Sequence, residues 1–237
     1  MRASPLQPAV FDSGVALGAE PERAHSIGPA RTVGFWAGLA AFASTVAFLF
    51  AQALQLFGVL RPPWDGILIY GFSLGIVVPF ILMMVALHCF VPEDKKLWSQ
   101  AALVFTIIYA VFVTANYVVQ LATVIPVSPE VDAGALRVLS QTPHSLFWDF
   151  DAIGYIAMGL AMLFAAPVFA RRGLQRRVKL GLLANALATP LIAIVYFHPG
   201  FSNRIFFLAF PWGITAPLSM LLLASFFRKA PRSPWAG

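Results

Sequence analysis

Six long apolar runs, separated by short polar segments, limit what this chain can fold into more than any other feature. They cover approximately residues 32–60, 66–91, 99–126, 143–170, 180–197 and 205–227. At about 1.5 Å of rise per residue, a helix of roughly 20 residues crosses a hydrocarbon core of about 30 Å. Backbone polar groups in lipid must be hydrogen-bonded within their own segment, so these runs are predicted to be helices. We therefore predict an all-α polytopic membrane protein with six transmembrane helices.

The composition excludes a soluble globular domain. Hydrophobic residues make up 59% of the 237 residues and charged residues only 11%, whereas soluble domains carry about 25% charged residues. The net charge is +6, but the basic residues flank apolar runs and form no stripe with interleaved aromatic residues. Nucleic acid is therefore not a predicted partner, and the lipid bilayer is.

Two polar tails flank the predicted bundle, which covers residues 32–227. Residues 1–31 are rich in Pro, Ala, Ser and Gly and are predicted to be a disordered tail, and residues 228–237 form a short basic tail. Thirteen of the sixteen Lys and Arg residues lie in the two tails and in the second and fourth loops. By the positive-inside rule, both termini are predicted to be cytoplasmic.

Polar side chains within the apolar runs define a candidate site. Such groups usually face the interior of a bundle because exposure to lipid is costly. With both termini inside, polar residues from five helices fall in the outer half of the membrane. Asp151 is central because it lies about two turns into the fourth run, whereas Asp149 points about 200° away around the helix. The predicted ligand-binding residues are Asp151, Asn116, Gln120, Gln52, Tyr155, Tyr196 and His198.

The sequence leaves three functions open. The first is the binding or transport of a small molecule or lipid through an outward-facing polar pocket. The second is an intramembrane metal-assisted enzyme that uses His144, Asp151 and His198, which are residue types that bind zinc. Their spacing matches no close metal motif, so no metal or cofactor is predicted. The third is a structural or regulatory subunit in which Asn and Gln side chains join helices. A non-enzymatic role is favoured.

Small residues predict how the helices pack. Gly34 with Gly38 and Gly71 with Gly75 form G-x-x-x-G pairs, which let helices approach closely. Proline residues at nearly matching offsets in the second and fifth runs also suggest a weak 3+3 inverted repeat, an arrangement found in many secondary transporters.

One segment of the chain resembles known sequences. The stretch 142–167, TPHSLFWDFDAIGYIAMGLAMLFAAP, followed by an Arg-rich loop and NALATPLIA, resembles uncharacterised multi-pass proteins of bacterial inner membranes. The resemblance implies a location in the bacterial inner membrane. It implies no activity and no functional residues.

Overall fold

The structure, a computed structural model, describes residues 19–127 and 133–229. These residues are mostly helical and contain no strand. The six long helices are α1 (Ala19–Leu56), α2 (Trp64–Phe90), α3 (Lys96–Val119), α4 (Leu146–Ala165), α5 (Gly173–Phe197) and α6 (Phe210–Lys229). Each belongs to a helical segment that is long and apolar enough to cross a membrane. The predicted all-α fold with six membrane-crossing helices is confirmed.

The helix boundaries differ from the apolar runs where polar residues continue a helix. α5 begins at Gly173, well before residue 180, because the basic segment that precedes the apolar run is already helical. Similarly, α1 begins at Ala19, within the segment 1–31, although its candidate span begins at Gly28. Ala, Leu, Glu, Gln and Arg, which occur in these extensions, are good helix formers. The remaining parts of the predicted tails, 1–18 and 230–237, lie outside the described residues.

The six helices form a closed ring in chain order. Each helix packs against the next, and α6 packs against α1. Arg31 Nε donates a hydrogen bond of 2.9 Å to the carbonyl oxygen of Phe227, so the start of the first span lies beside the end of the last. Lys95 Nζ donates to the carbonyl oxygen of Val168 over 2.9 Å and joins the α2–α3 and α4–α5 loops. We call the end of the bundle that contains Arg31 and Lys95 the basic end, and the other end the opposite end.

α4 is the most enclosed of the six helices. Of its span, 67% is buried, against 28–39% for the others. The outer surface of the ring is apolar: Ile107 and Val111 of α3, for example, are 58% and 59% exposed. Lipid solvates such side chains, and the polar ones turn inward instead. Fully buried polar residues are Thr45, Thr106, Asn116, Asn185 and Ser219.

The first predicted glycine pair joins the two ends of the ring. A Cβ added to Gly34 would lie 2.7 Å from the ring of Phe227, and one added to Gly38 would lie 2.9 Å from the Cβ of Ala224. Both distances are too short for a real side chain. The close helix approach predicted from this G-x-x-x-G pair is therefore confirmed, and the structure identifies α6 as the partner helix.

The second predicted glycine pair packs on one side only. A Cβ on Gly75 would lie 3.0 Å from Ser44 Oγ, but a Cβ on Gly71 would meet no atom within 4 Å. Gly71 therefore makes no close helix contact within the described part of the chain, because it faces away from the neighbouring helices. The tightest contact lies in α4, where a Cβ on Gly159 would be 1.8 Å from Thr189 Oγ1 of α5. This glycine allows α4 to lie deep in the bundle.

Gly159→Ala is expected to lower the thermal midpoint of the detergent-solubilised protein, because the added methyl group overlaps Thr189 and overpacking costs roughly 1–3 kcal/mol. Gly71→Ala is the matched control, since it adds the same methyl group in open space. The midpoint is measured by fluorescence-detected size-exclusion chromatography after heating. Equal midpoints for the two variants would contradict the tight packing of α4 on α5.

Candidate binding site around Asp151

The start of α4 places Asp151 inside the bundle. Ser145 caps the helix, with its Oγ accepting a hydrogen bond of 3.2 Å from the amide of Trp148. Asp151 then falls in the second turn and is only 3% exposed. Asp149, in the first turn, is exposed. The opposite directions that helical geometry predicts for the two carboxylates are confirmed.

Four neutral groups donate hydrogen bonds to the Asp151 carboxylate. Oδ1 accepts from the hydroxyl of Tyr117 over 2.7 Å and from Asn116 Nδ2 over 3.2 Å. Oδ2 accepts from Gln141 Nε2 over 2.8 Å and from the hydroxyl of Tyr196. A carboxylate offers about four lone-pair sites, so its acceptor capacity is filled. No basic side chain of the described residues bonds to it, so dipoles alone solvate this group.

Further hydrogen bonds extend this arrangement in two directions. The hydroxyl of Tyr155 lies 3.0 Å from that of Tyr117. Gln120 holds the loop that precedes α4, because its Nε2 donates to the carbonyl oxygen of Leu139 over 2.7 Å and its Oε1 accepts from the amide of Gln141 over 3.0 Å. We define the Asp151 cluster as Asp151, Asn116, Tyr117, Gln141, Tyr155 and Tyr196.

Aromatic rings enclose the Asp151 cluster. Three ring pairs have centroid separations of 5.4, 4.9 and 4.6 Å: Tyr70 with Tyr117, Tyr155 with Trp212, and Trp148 with Tyr196. These rings come from α2, α3, α4, α5 and α6. The three tyrosines of the cluster are thus each packed against an aromatic ring outside it, Tyr70, Trp148 or Trp212.

α3 changes its helical geometry at this site. It continues beyond Val119 as a π-helical turn, Gln120–Val124, and then as Ile125–Val127. Single π-helical turns inside α-helices are frequent at functional sites. Here the wider turn begins directly after the part of α3 that bonds Asp151, at the residue that fixes the following loop.

Two of the predicted site residues lie apart from the Asp151 cluster. Gln52 Nε2 donates to Gln55 Oε1 over 2.6 Å, and Gln55 Nε2 donates to Asp65 Oδ2 over 3.0 Å, which joins α1 to α2. His198 is exposed directly after α5, and its Nδ1 pairs with the backbone of Gly200. No described hydrogen bond links Gln52 or His198 to the cluster. The structure brings together the other five predicted residues, which are Asp151, Asn116, Tyr155 and Tyr196 of the cluster and the adjacent Gln120.

The three residues of the predicted metal site, His144, Asp151 and His198, are not brought together as ligands in the described part of the chain. His144 is exposed in the loop before α4, with a φ of 67°, and His198 bonds its own loop. Asp151 faces tyrosine and amide donors. Among residues 19–127 and 133–229, no three His, Cys, Asp or Glu side chains lie close enough to hold one metal ion.

Tyr117 and Gln141 belong to the site but are not among the residues predicted from the sequence. Tyr117 lies about 100° around α3 from Asn116, so a search along one helix face leaves it out. Asn116 and Tyr117 nevertheless both donate to Asp151, because Oδ1 of the carboxylate lies between the two side chains. Gln141 lies in a loop, where helical spacing carries no information. The one sequence signal is that Gln141 is the only carboxamide in the segment 128–142.

Comparisons with protein-family models, with curated proteins and with solved structures give no match for this chain. Its function is therefore inferred from the geometry and chemistry of the Asp151 cluster.

Tyr117→Phe is expected to lower the free energy of unfolding by about 1.5–3 kcal/mol, the range for hydrogen bonds to charged groups. Tyr109→Phe is the matched control, because Tyr109 is a buried tyrosine of the same helix whose hydroxyl makes no hydrogen bond among the described residues. Stability is measured by denaturant titration in mixed micelles. The loss at Tyr117 should shrink in an Asp151→Asn background, since the two groups are coupled. Equal losses for both Phe variants would disprove this coupling.

Proposed function

We propose that this protein is a multi-pass protein of the bacterial inner membrane that binds or transports a small organic cation through the Asp151 cluster. In this proposal both termini are cytoplasmic, so the opposite end of the bundle faces the outside, in accord with the distribution of Lys and Arg. The observation that carries the proposal is a buried carboxylate in a membrane-spanning helix whose described partners are all neutral.

The charge of Asp151 favours a cationic ligand. Ionisable residues within membrane helices usually pair with an opposite charge or mark the path of an ion or substrate. The four donors solvate the carboxylate, but they leave its net negative charge uncompensated. A cation in contact with Asp151 supplies the opposite charge that the described residues do not. An anionic ligand would add a second negative charge in a medium of low dielectric constant.

The aromatic surroundings favour an organic cation over a metal ion. A cation over the face of Trp or Tyr gains about 0.5–1 kcal/mol at exposed sites and about 2 kcal/mol or more when desolvated, and aromatic cages recognise quaternary ammonium groups. Hard metal ions such as Ca²⁺ instead require six to eight oxygen ligands, as a rule from several carboxylates and carbonyls. The Asp151 cluster offers one carboxylate among aromatic rings, which suits an alkylammonium group.

The segment before α4 covers the cluster from the opposite end. Gln141 is half-buried and is the one donor to Asp151 that comes from a loop. Its side chain also accepts a hydrogen bond from Asn116 Nδ2 over 3.1 Å. Loops move more readily than packed helices. Gln141 is therefore the group that an entering ligand displaces, while the donors on α3 and α5 stay in place.

Asp151→Asn is expected to weaken binding of an organic cation at least about tenfold, because the variant keeps the shape of the side chain but removes its charge. Binding of tetramethylammonium and choline to the purified full-length protein is measured by isothermal titration calorimetry. 3,3-Dimethyl-1-butanol, the uncharged isostere of choline, serves as the matched ligand and should bind weakly to both forms.

Asp149→Asn is the matched control variant, because it removes an exposed carboxylate two residues away on the same helix. It should bind the cations as the parent protein does. Size-exclusion profiles of both variants establish that they are folded. Equal cation binding by the Asp151→Asn variant, or equally tight binding of the uncharged isostere by the parent, would refute the assignment.

The proposed orientation predicts which residues are accessible from each side. In a Cys89→Ser background, Asp94→Cys at the basic end should react with a membrane-impermeant maleimide only in inverted vesicles. Asn203→Cys at the opposite end should react in intact spheroplasts. Both native side chains are exposed and lie in or next to loops. The reverse labelling pattern would place the termini outside.

A further inference from the structure

A cavity of about 490 Å³ lies at the basic end, between the start of α5 and the end of α6. It is remote in the fold from the Asp151 cluster, which lies toward the opposite end. The residues that line it are Gly173, Leu174, Arg176, Arg177, Leu180 and Lys229. We propose that this cavity binds the headgroup of an anionic phospholipid, with an acyl chain of the lipid lying along α5.

The charge that lines the cavity is available to an external anion. Arg176, Arg177 and Lys229 are exposed, and none of the three bonds an acidic side chain of the described residues. Two other cations at the same end have partners within the protein, because Arg31 and Lys96 both donate to backbone carbonyl oxygens. What distinguishes Arg176, Arg177 and Lys229 is that all three line one cavity.

The backbone of α5 adds hydrogen-bond donors to this charge. The first amides of a helix have no acceptor within the helix, and the helix dipole places positive potential around them. Arg172, the N-cap residue, provides no side-chain cap. Gly173 has a φ of 56°, and a Cβ there would meet no atom within 4 Å. Gly173 and Leu174, the first two residues of α5, line the same cavity as the basic side chains, so the start of the helix lies beside these cations, an arrangement that suits phosphate.

The position of Leu180 distinguishes a lipid from a free phosphate ion. Leu180 lies about one turn beyond Arg176 and Arg177 on the same face of α5, where the helix enters its apolar stretch, and is 53% exposed. A phosphodiester held by the arginines leaves its acyl chain beside this side chain. A free phosphate ion gains nothing from it. Basic pockets between membrane helices bind anionic lipid headgroups elsewhere.

The test compares two double variants of the full-length protein that remove equal charge. Arg176→Gln/Arg177→Gln removes two cations that line the cavity, and Arg171→Gln/Lys179→Gln removes two that do not. Binding of fluorescent phosphatidylglycerol to the detergent-solubilised protein is measured, with phosphatidylcholine as the zwitterionic reference. Both variants lose the same long-range attraction to anionic lipid, but only the cavity variant loses side chains that contact the headgroup in the proposed site. The cavity variant is therefore expected to bind at least tenfold more weakly, and the control variant less than threefold.

Two further measurements identify the occupant. Leu180→Ser should weaken phosphatidylglycerol binding while size-exclusion profiles stay unchanged, and millimolar inorganic phosphate should compete poorly. Full competition by phosphate without an effect of Leu180→Ser would assign the cavity to a free anion and overturn the lipid proposal. So would equal losses in the two double variants, or equally tight binding of phosphatidylcholine. None of these outcomes depends on Asp151.

Discussion

A carboxylate within a bilayer must find its hydrogen-bond donors in the protein, and much of this bundle is arranged around that requirement. An ionisable side chain within a membrane helix is costly unless it is paired or hydrogen-bonded. Four hydrogen bonds to the carboxylate of Asp151 offset that cost. Because these donors come from α3, α5 and the loop before α4, α4 has to lie between its neighbours. The glycine that admits Thr189 permits that position.

The two ends of the bundle offer complementary chemistry. Toward the opposite end, a single buried acid lies among aromatic rings, and its unbalanced charge is negative. At the basic end, unpaired cations and the amides at the start of α5 border a cavity beside lipid-facing side chains. The two proposed sites share α5, which contributes Tyr196 near one end and Arg176 and Arg177 near the other. Between them α5 is one continuous helix that contains Pro190.

The sequence was sufficient for the fold and for part of the candidate site. Apolar run length predicted six helices because lipid tolerates no unpaired backbone groups. Helix faces and depth predicted that Asn116, Tyr155 and Tyr196 would converge near Asp151. Gln52 lies at a similar depth, but depth alone does not predict which side chains come into contact. The side chain of Gln52 donates a hydrogen bond to Gln55 and, among the described residues, none to the Asp151 cluster. Gln141 could not be predicted, because its position depends on how a loop folds back. The inverted repeat stays a prediction.

The contact between α1 and α6 closes the ring with residues nearly two hundred positions apart in the chain. During synthesis, the small-residue face of α1 therefore enters the membrane long before its own partner helix exists. Until α6 emerges, that face is open to a second nascent chain, whose α6 has the same complementary surface. The order of insertion thus makes exchange of α6 between two chains the alternative pairing that uses the same surfaces as the native contact.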